Sequence, residues 1–228
     1  DEDGLGNITE SSGGTSPCDF DSDDDGLCDG ALTIGDCAGN EQSAGTGAAD
    51  FDSDDDGIGD GVEFLSECLN PLNADVDGDG LSDGVEDQNL DGNVEAGVET
   101  DPCLSDTDGD GLGDGVELGQ RSQACEENTA ALLTNPLLVD TDGDGLCDGP
   151  GVGDGICIGS EDANGDGCLA PSETSGRDAD TDRDGLCDGP IVVADGLGCS
   201  GGEDLDGNGS VEPNETDPLN RDTDGDHL

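Results

Sequence analysis

Carboxylate side chains recur in this chain at the regular intervals that a hard metal ion requires of its ligands. In the segment Asp106–Glu117, aspartates stand at positions 1, 3 and 5 of a twelve-residue stretch, glycine stands at position 6, and glutamate closes it at position 12. Alternate residues of a tight loop point their oxygens inward, and the glycine permits the sharp turn. Calcium prefers oxygen ligands, and the late glutamate can offer both of its oxygens. The segment therefore predicts a calcium-binding loop.

The same spacing, which is that of EF-hand-type loops, recurs along the whole chain in loops of two kinds. First-kind loops have an additional aspartate at position 9. Their predicted ligands are Asp21, Asp23, Asp25, Asp29 and Glu41; Asp52, Asp54, Asp56, Asp60 and Glu63; Asp75, Asp77, Asp79, Asp83 and Glu86; Asp106, Asp108, Asp110, Asp114 and Glu117; Asp140, Asp142, Asp144, Asp148 and Glu161; and Asp180, Asp182, Asp184, Asp188 and Glu203.

Second-kind loops lack the aspartate at position 9, have asparagine at position 3 or 5, and begin directly after a glutamate. Their predicted ligands are Asp87, Asn89, Asp91 and Glu99; Asp162, Asn164, Asp166 and Glu173; and Asp204, Asp206, Asn208 and Glu215. One extra residue in the loop at Asp87 moves its glutamate to Glu99. Because each second-kind loop follows a first-kind loop without a gap, we expect the two kinds to form tandem pairs.

Both ends of the chain fall inside loops of this type, so we expect the 228 residues to be a window on a longer array. The predicted ligands of the partial loops are Asp1, Asp3, Asn7 and Glu10 at one end and Asp222, Asp224 and Asp226 at the other. His227 departs from the pattern, because it stands where glycine would supply a positive φ. The predicted array is continuous, with loops at residues 1–10, 21–41, 52–63, 75–86, 87–99, 106–117, 140–161, 162–173, 180–203, 204–215 and 222–228.

Composition alone predicts disorder. The formal net charge is −57, from 61 acidic against 4 basic residues, and large aliphatic residues and phenylalanine fall below the ~20% expected of a folded chain. The loop spacing favours a different interpretation, in which the metal-free chain is disordered and metal binding supplies the folding free energy. The charge excludes nucleic acid as a partner, because phosphate recognition needs basic side chains.

The fold class predicted from these loops is an irregular, calcium-ordered rod of tandem repeats with a few short helices. Small apolar residues at position 7, position 11 and, in the second kind, position 8 let each loop press against its neighbours without a large core. Proline stands four residues before five of the loops, at Pro17, Pro71, Pro102, Pro136 and Pro218. A rigid turn is expected at each of these entries. Short helices are predicted near residues 64–69 and 123–133.

Three first-kind loops lack glutamate at position 12, and these three have cysteine at position 8. In each, a variable insert leads to a second cysteine, and a glutamate follows four residues later. The simplest hypothesis is that a disulfide closes off the insert and returns the delayed glutamates Glu41, Glu161 and Glu203 to the metal. The pairs predicted on this basis are Cys28–Cys37, Cys147–Cys157 and Cys187–Cys199.

Eleven cysteines in so acidic a chain indicate disulfides and an oxidising compartment. The alternative, zinc held by thiolates, needs CxxC or Cys/His clusters, which the sequence lacks. A further pair, Cys103–Cys125, is also predicted. The sequence leaves Cys18, Cys68 and Cys168 unassigned.

The pattern D-x-D-x-D-G-x-x-D-G-x-E, with proline at the entries and cysteine near the loops, resembles the thrombospondin type 3 repeats of prokaryotic secreted and surface proteins. The resemblance covers nearly the whole chain. It implies a chain that wraps around a line of calcium ions with little regular secondary structure. The three insert-bearing loops depart from the pattern. Second-kind loops also resemble dockerin loops. However, they lack the helix after each loop with which a dockerin binds its cohesin partner.

These features favour a structural protein, an extracellular fibre, stalk or matrix strand that holds on the order of ten calcium ions and associates with itself into a longer polymer. The alternative is a spacer of a large adhesin or secreted enzyme. A calcium sensor is disfavoured, because it would need an apolar groove to expose. An enzyme is disfavoured, because no nucleophile, acid–base pair or nitrogen-ligated metal is recognisable. Glycans are a further expected partner, since acceptor sequons begin at Asn7, Asn208 and Asn214.

Overall fold

The computed structural model describes residues 3–120, 125, 130–151, 157–190 and 198–225. Its described part is irregular, with short elements separated by turns. The helices are α1 (Asn7–Gly13), α2 (Glu41–Ala44), α3 (Asp60–Leu65), α4 (Asp83–Glu86) and α5 (Asp114–Glu117). The strands are β1 (Leu27–Cys28), β2 (Gly39–Asn40), β3 (Ala130–Ala131) and β4 (Cys168–Leu169). The prediction of little regular secondary structure with a few short helices is confirmed.

The chain divides into two compact units, Asp1–Leu104 and Ser105–Leu228. In the first unit, β1 and β2 pair in parallel, with Leu27 opposite Gly39. In the second unit, β3 and β4 pair antiparallel, with Ala131 opposite Cys168. Each sheet has only two strands of two residues, so the turns and loops between the elements determine most of the fold.

Helices α3, α4 and α5 each begin at the position-9 aspartate of a first-kind loop. Both Asp60 and Glu63 stand in the first turn of α3, where negative charge complements the partial positive charge of a helix N-terminus. The helix predicted at residues 64–69 is therefore misplaced, since α3 ends at Leu65 and Ser66 is extended. The helix predicted at residues 123–133 is wrong at its end, where Ala130 and Ala131 form β3; most of its remainder lies outside the described residues.

Apolar burial is confined to a few small clusters. The position-7 side chains are the largest contributors, and those less than 5% exposed are Leu27, Ile58, Leu81, Leu112 and Leu146. The apolar residues predicted to pack at positions 8 and 11 are less buried: Val85, Val94 and Val211 are each about half exposed. With so small an apolar core, a net charge of −57 has little hydrophobic burial to oppose it.

The proline entries are turns, as predicted. In each turn, the carbonyl of the residue before proline accepts a hydrogen bond from the amide of the residue two positions after proline. An example is the 2.9 Å bond from the Leu138 amide to the Asn135 carbonyl. The same bond recurs at all five prolines. Proline suits the second position of such a turn because its φ is already fixed near −65°.

Five disulfides join ten of the eleven cysteines. Three of them are the insert-closing pairs that the sequence predicts, Cys28–Cys37, Cys147–Cys157 and Cys187–Cys199. The remaining thiol, Cys18, is exposed. So many disulfides indicate folding in an oxidising environment.

The predicted pair Cys103–Cys125 is wrong. Cys103 instead bonds to Cys68, whose Cα lies 6.2 Å away, and Cys125 bonds to Cys168 with a Cα separation of 5.6 Å. Cys168 opens β4, which pairs with β3, a strand that begins five residues after Cys125. Contacts 35 and 43 residues apart therefore outweigh the proximity in sequence on which the prediction rested.

Among the described residues, no helix has the length and apolar character needed to cross a membrane.

Candidate metal centres

Each first-kind loop is held by hydrogen bonds from its own backbone to its own aspartates. In the loop at Asp52, the Gly57 amide donates to Asp52 Oδ2 at 2.8 Å, and the Ile58 amide donates to Asp56 Oδ1 at 2.7 Å. Gly57 has a φ of 108°, which an L-residue rarely adopts. The same bonds, from position 6 to position 1 and from position 7 to position 5, occur in all six loops.

These bonds engage one oxygen of each carboxylate and leave another facing inward. Asp52 Oδ1, Asp54 Oδ2 and both Glu63 carboxylate oxygens are buried and accept no hydrogen bond. Asp52, Asp54 and Asp56 each offer one oxygen, and these three oxygens lie within 4.8 Å of one another. Since Glu63 is fully buried, its charge needs a compensating cation.

The protein supplies no such cation in the described part of the chain. The single ion pair there joins Arg183 to Asp178 at 3.3 Å, and both of its side chains are well exposed. Convergent triads recur in the first unit at Asp21, Asp23 and Asp25 and at Asp75, Asp77 and Asp79. In the second unit, buried oxygens without a donor occur on Asp108, Glu117, Asp142, Glu161, Asp182 and Glu203. The residues that the sequence identified as ligands are thus brought together, although which ion each one binds stays a prediction.

The delayed glutamates return to their loops. In the uninterrupted loop at Asp106, the Glu117 amide donates to the position-8 carbonyl of Gly113 at 3.0 Å. After their inserts, Glu161 and Glu203 donate in the same way to the position-8 carbonyls of Cys147 and Cys187, each at 2.9 Å. The insert therefore leaves the chain where an uninterrupted loop would have it. Burial raises the pKa of Glu41 to about 7, and the nearby charges of Asp23 and Asp29 act in the same direction.

Position 9 has a role that the sequence interpretation missed. Asp60 Oδ1 accepts the Ser53 amide at 2.8 Å, and Asp60 Oδ2 accepts the Ser53 hydroxyl at 2.6 Å. The amide bond from position 2 recurs in all six loops. Position 9 therefore closes the loop entry, and serine or threonine at position 2 in five of six loops is the sequence signal for it.

The position-9 aspartate also faces the preceding loop. Asp83 offers an oxygen within 4.8 Å of oxygens from Asp56 and Glu63, which belong to the loop before it. The Gly84 amide, next to Asp83, donates to Asp56 Oδ2 at 3.2 Å. In the second unit, Gly149 and Gly189 make the equivalent bonds to the preceding loops, at 2.6 and 2.7 Å. Neighbouring first-kind loops thus share polar contacts at their carboxylates.

The glutamates of second-kind loops are held differently. Glu99 accepts the amides of Gln88 and Glu95, one on each oxygen. Glu215 accepts the amides of Leu205 and Glu212 in the same way. These glutamates close their own loops through hydrogen bonds, and their predicted ligand role remains untested. Asp1, Asp226 and the side chain of Asn7 lie outside the described residues.

Burial and mutual repulsion raise the pKa values of several converging carboxyls. Burial, reinforced by the charges of Asp54 and Asp56, raises the pKa of Glu63 to about 9. Burial together with Asp108 raises the pKa of Glu117 to about 9. The pKa of the buried Glu161 is raised well above 4.5, first by burial and then by Asp142. In the metal-free fold, Glu63 and Glu117 are therefore protonated at neutral pH.

Metal binding is consequently expected to release protons below neutral pH, where protonated carboxyls let part of the metal-free fold persist. Glu63 and Glu117 hold protons in the metal-free fold and must lose them to coordinate an ion. Calorimetric titration with calcium in two buffers of different ionisation enthalpy measures the number released. Heats that agree between the two buffers would contradict the protonation described here.

The same groups set the pH dependence of the metal-free fold. Their folded pKa values of about 9 exceed the ordinary value of 4.5, so between these limits the folded chain binds protons that the unfolded chain does not. The contribution of these groups to stability is therefore fully present below about pH 4.5 and is lost as the pH rises through about 9. Calcium-loaded protein should show the opposite trend, because calcium competes with protons for the same oxygens.

Comparison with protein-family models, with curated proteins and with solved structures finds no match for this chain. The assignment of the centres therefore rests on the carboxylates themselves. Their geometry fits a hard cation with oxygen ligands, and calcium is the ion whose flexible coordination suits several carboxylates around one centre.

Proposed function

We propose that this protein is a calcium-binding structural protein of the extracellular space, ordered by ions in tandem loops similar to thrombospondin type 3 repeats. The observation that carries the proposal is Glu63, a fully buried glutamate with no hydrogen-bond donor on either oxygen. An isolated buried carboxylate is unfavourable unless a cation compensates it. Glu161 and Glu203 likewise have no donor on either oxygen, which supports a line of ions rather than one specialised centre.

Calcium is preferred over other cations on the chemistry of the ligands. The loops present carboxylates, whereas zinc sites use cysteine or histidine, and ten of the eleven cysteines are in disulfides. Magnesium demands near-ideal octahedral geometry and keeps much of its water. Sites of extracellular modules bind calcium at ~10⁻⁴–10⁻³ M, which fits the oxidising environment that the disulfides indicate.

Counting the bound ions tests this assignment. Native mass spectrometry of the disulfide-intact chain in calcium should give a narrow distribution centred on the order of ten ions. Magnesium at equal concentration is the control and should give fewer bound ions. A chain with no retained calcium, or with a broad distribution that merely follows concentration, would overturn the proposal.

A fibre, stalk or matrix strand is the favoured biological role, and a spacer within an adhesin or secreted enzyme is the alternative. Disulfides and many ions would make such an element resistant to heat and proteolysis while calcium is present. Imaging of native material separates the two roles. Uniform filaments whose density repeats with these loops would support the fibre, rods ending in a globular head would support the spacer, and compact monomers would contradict both.

A further inference from the structure

A threonine recurs at one place in the chain that the calcium-loop pattern does not explain. It stands six residues before the first aspartate of a first-kind loop, in the segment that leads into the entry turn. It is present before six of the seven loops that have such a segment, as Thr15, Thr46, Thr100, Thr134, Thr174 and Thr216. The exception is the loop at Asp75, where Leu69 takes the position. Three of these threonines, Thr100, Thr134 and Thr174, are 7% exposed.

In two of these loops the threonine hydroxyl reaches back to the closing glutamate of the preceding loop. Thr134 Oγ1 donates to Glu117 Oε1 at 2.9 Å, and the Thr46 hydroxyl donates to Glu41 Oε2. The two partners are 17 residues apart in the first case and five in the second. The same contact therefore forms across linkers of quite different length, which a local turn would not produce.

In both contacts the hydroxyl donates to one carboxylate oxygen, and the other carboxylate oxygen accepts no hydrogen bond. Glu117 Oε2 and Glu41 Oε1 are buried and accept no hydrogen bond. Glu63, whose linker has Leu69 in place of threonine, has no donor on either oxygen, and neither do Glu161 and Glu203. In the two loops where the contact forms, the threonine thus fixes the rotation of the glutamate about its terminal bond and determines which oxygen points inward.

We propose that Thr46 and Thr134 are positioning residues for the calcium-ligating glutamates Glu41 and Glu117, each coupling the entry of one loop to the ion of the loop before it. The proposal rests on the calcium function proposed above. Hydrogen-bonded partners of metal ligands commonly affect metal affinity by ~10–100-fold when removed. The loop at Asp52, without such a partner, should then bind its ion more weakly than the loop at Asp106.

The test is hydrogen–deuterium exchange of the full chain at a series of free calcium concentrations, which gives a calcium midpoint for each peptide. Thr134→Val should raise the midpoint for residues 106–117 by roughly ten-fold and leave that for residues 52–63 unchanged. Thr134→Ser should restore it, because serine supplies the hydroxyl without the methyl group. Thr9→Val, at an exposed threonine outside this position, is the matched control and should leave every midpoint unchanged.

A gain-of-function variant keeps the proposal testable if Thr134→Val fails to fold. Leu69→Thr should lower the midpoint for residues 52–63, although it removes a nearly buried leucine. Wild-type protein without any calcium midpoint would overturn the calcium function itself. Clear wild-type midpoints that neither Thr134→Val nor Leu69→Thr moves would overturn the positioning role alone, as would equal loss in Thr134→Val and Thr134→Ser.

Discussion

Removal of calcium at pH 7 is expected to abolish backbone hydrogen-exchange protection in both units of the chain. Each centre gathers three or more carboxylates, as in the triad Asp52, Asp54 and Asp56, whose oxygens lie within 4.8 Å of one another. Because the net charge is −57, the negative charge of the rest of the chain also repels the carboxylates of every centre. The small clusters around the position-7 residues cannot offset this repulsion once the ions are gone.

The measurement compares exchange of the same protein in excess calcium and in excess chelator, with disulfides intact in both. Protected amides should include those that donate to the loop aspartates, such as the amides of Gly57 and Ile58. A third sample, in chelator at about pH 4, should recover part of the protection, because protonated carboxyls no longer repel. Full protection in chelator at pH 7 would contradict a calcium-dependent fold.

The loops were predictable because their determinants are local. An aspartate at position 1 and a glycine at position 6 are joined by a hydrogen bond within a single turn, as in the 2.8 Å bond between Gly57 and Asp52, so spacing along the sequence translates directly into geometry. The insert-closing disulfides were predictable for the same reason, since Cys28 and Cys37 are only nine residues apart.

Features that depend on packing between distant segments were not predictable in this way. Cys125 forms its disulfide with Cys168 because β3 pairs with β4, and no sequence pattern near Cys125 predicts that strand pairing. The aspartate at position 9 matched a ligand pattern, yet Asp60 is held by Ser53 at the loop entry. Repetition was the available signal, because a serine or threonine that recurs at one offset indicates a repeated contact even when its partner is unknown.

Gly84→Ala is expected to destabilise the calcium-loaded first unit, against the usual effect of this substitution. Gly84 lies in α4, and alanine in a helix is normally favoured over glycine by ~0.5–1 kcal/mol. A Cβ at Gly84, however, would meet the Asp56 carbonyl oxygen at 2.3 Å. That oxygen belongs to the backbone of the preceding loop, so it cannot move aside without displacing Asp56, a predicted ligand. We expect a net loss of ~1–3 kcal/mol, as for overpacking of a filled site.

The effect should also extend to the preceding loop, because the Gly84 amide donates to Asp56 Oδ2 at 3.2 Å. Thermal unfolding in calcium measures the stability, and exchange of residues 52–63 reports the loop that contains Asp56. Gly13→Ala is the matched control: Gly13 ends α1 and has open space at its Cβ, so its variant should be neutral or slightly stabilised. Gly61→Ala, whose Cβ would lie 2.2 Å from the Asp25 carbonyl oxygen, should behave as Gly84→Ala does. If Gly84→Ala and Gly61→Ala instead matched Gly13→Ala, close packing of position 10 on the preceding loop would not hold neighbouring loops together.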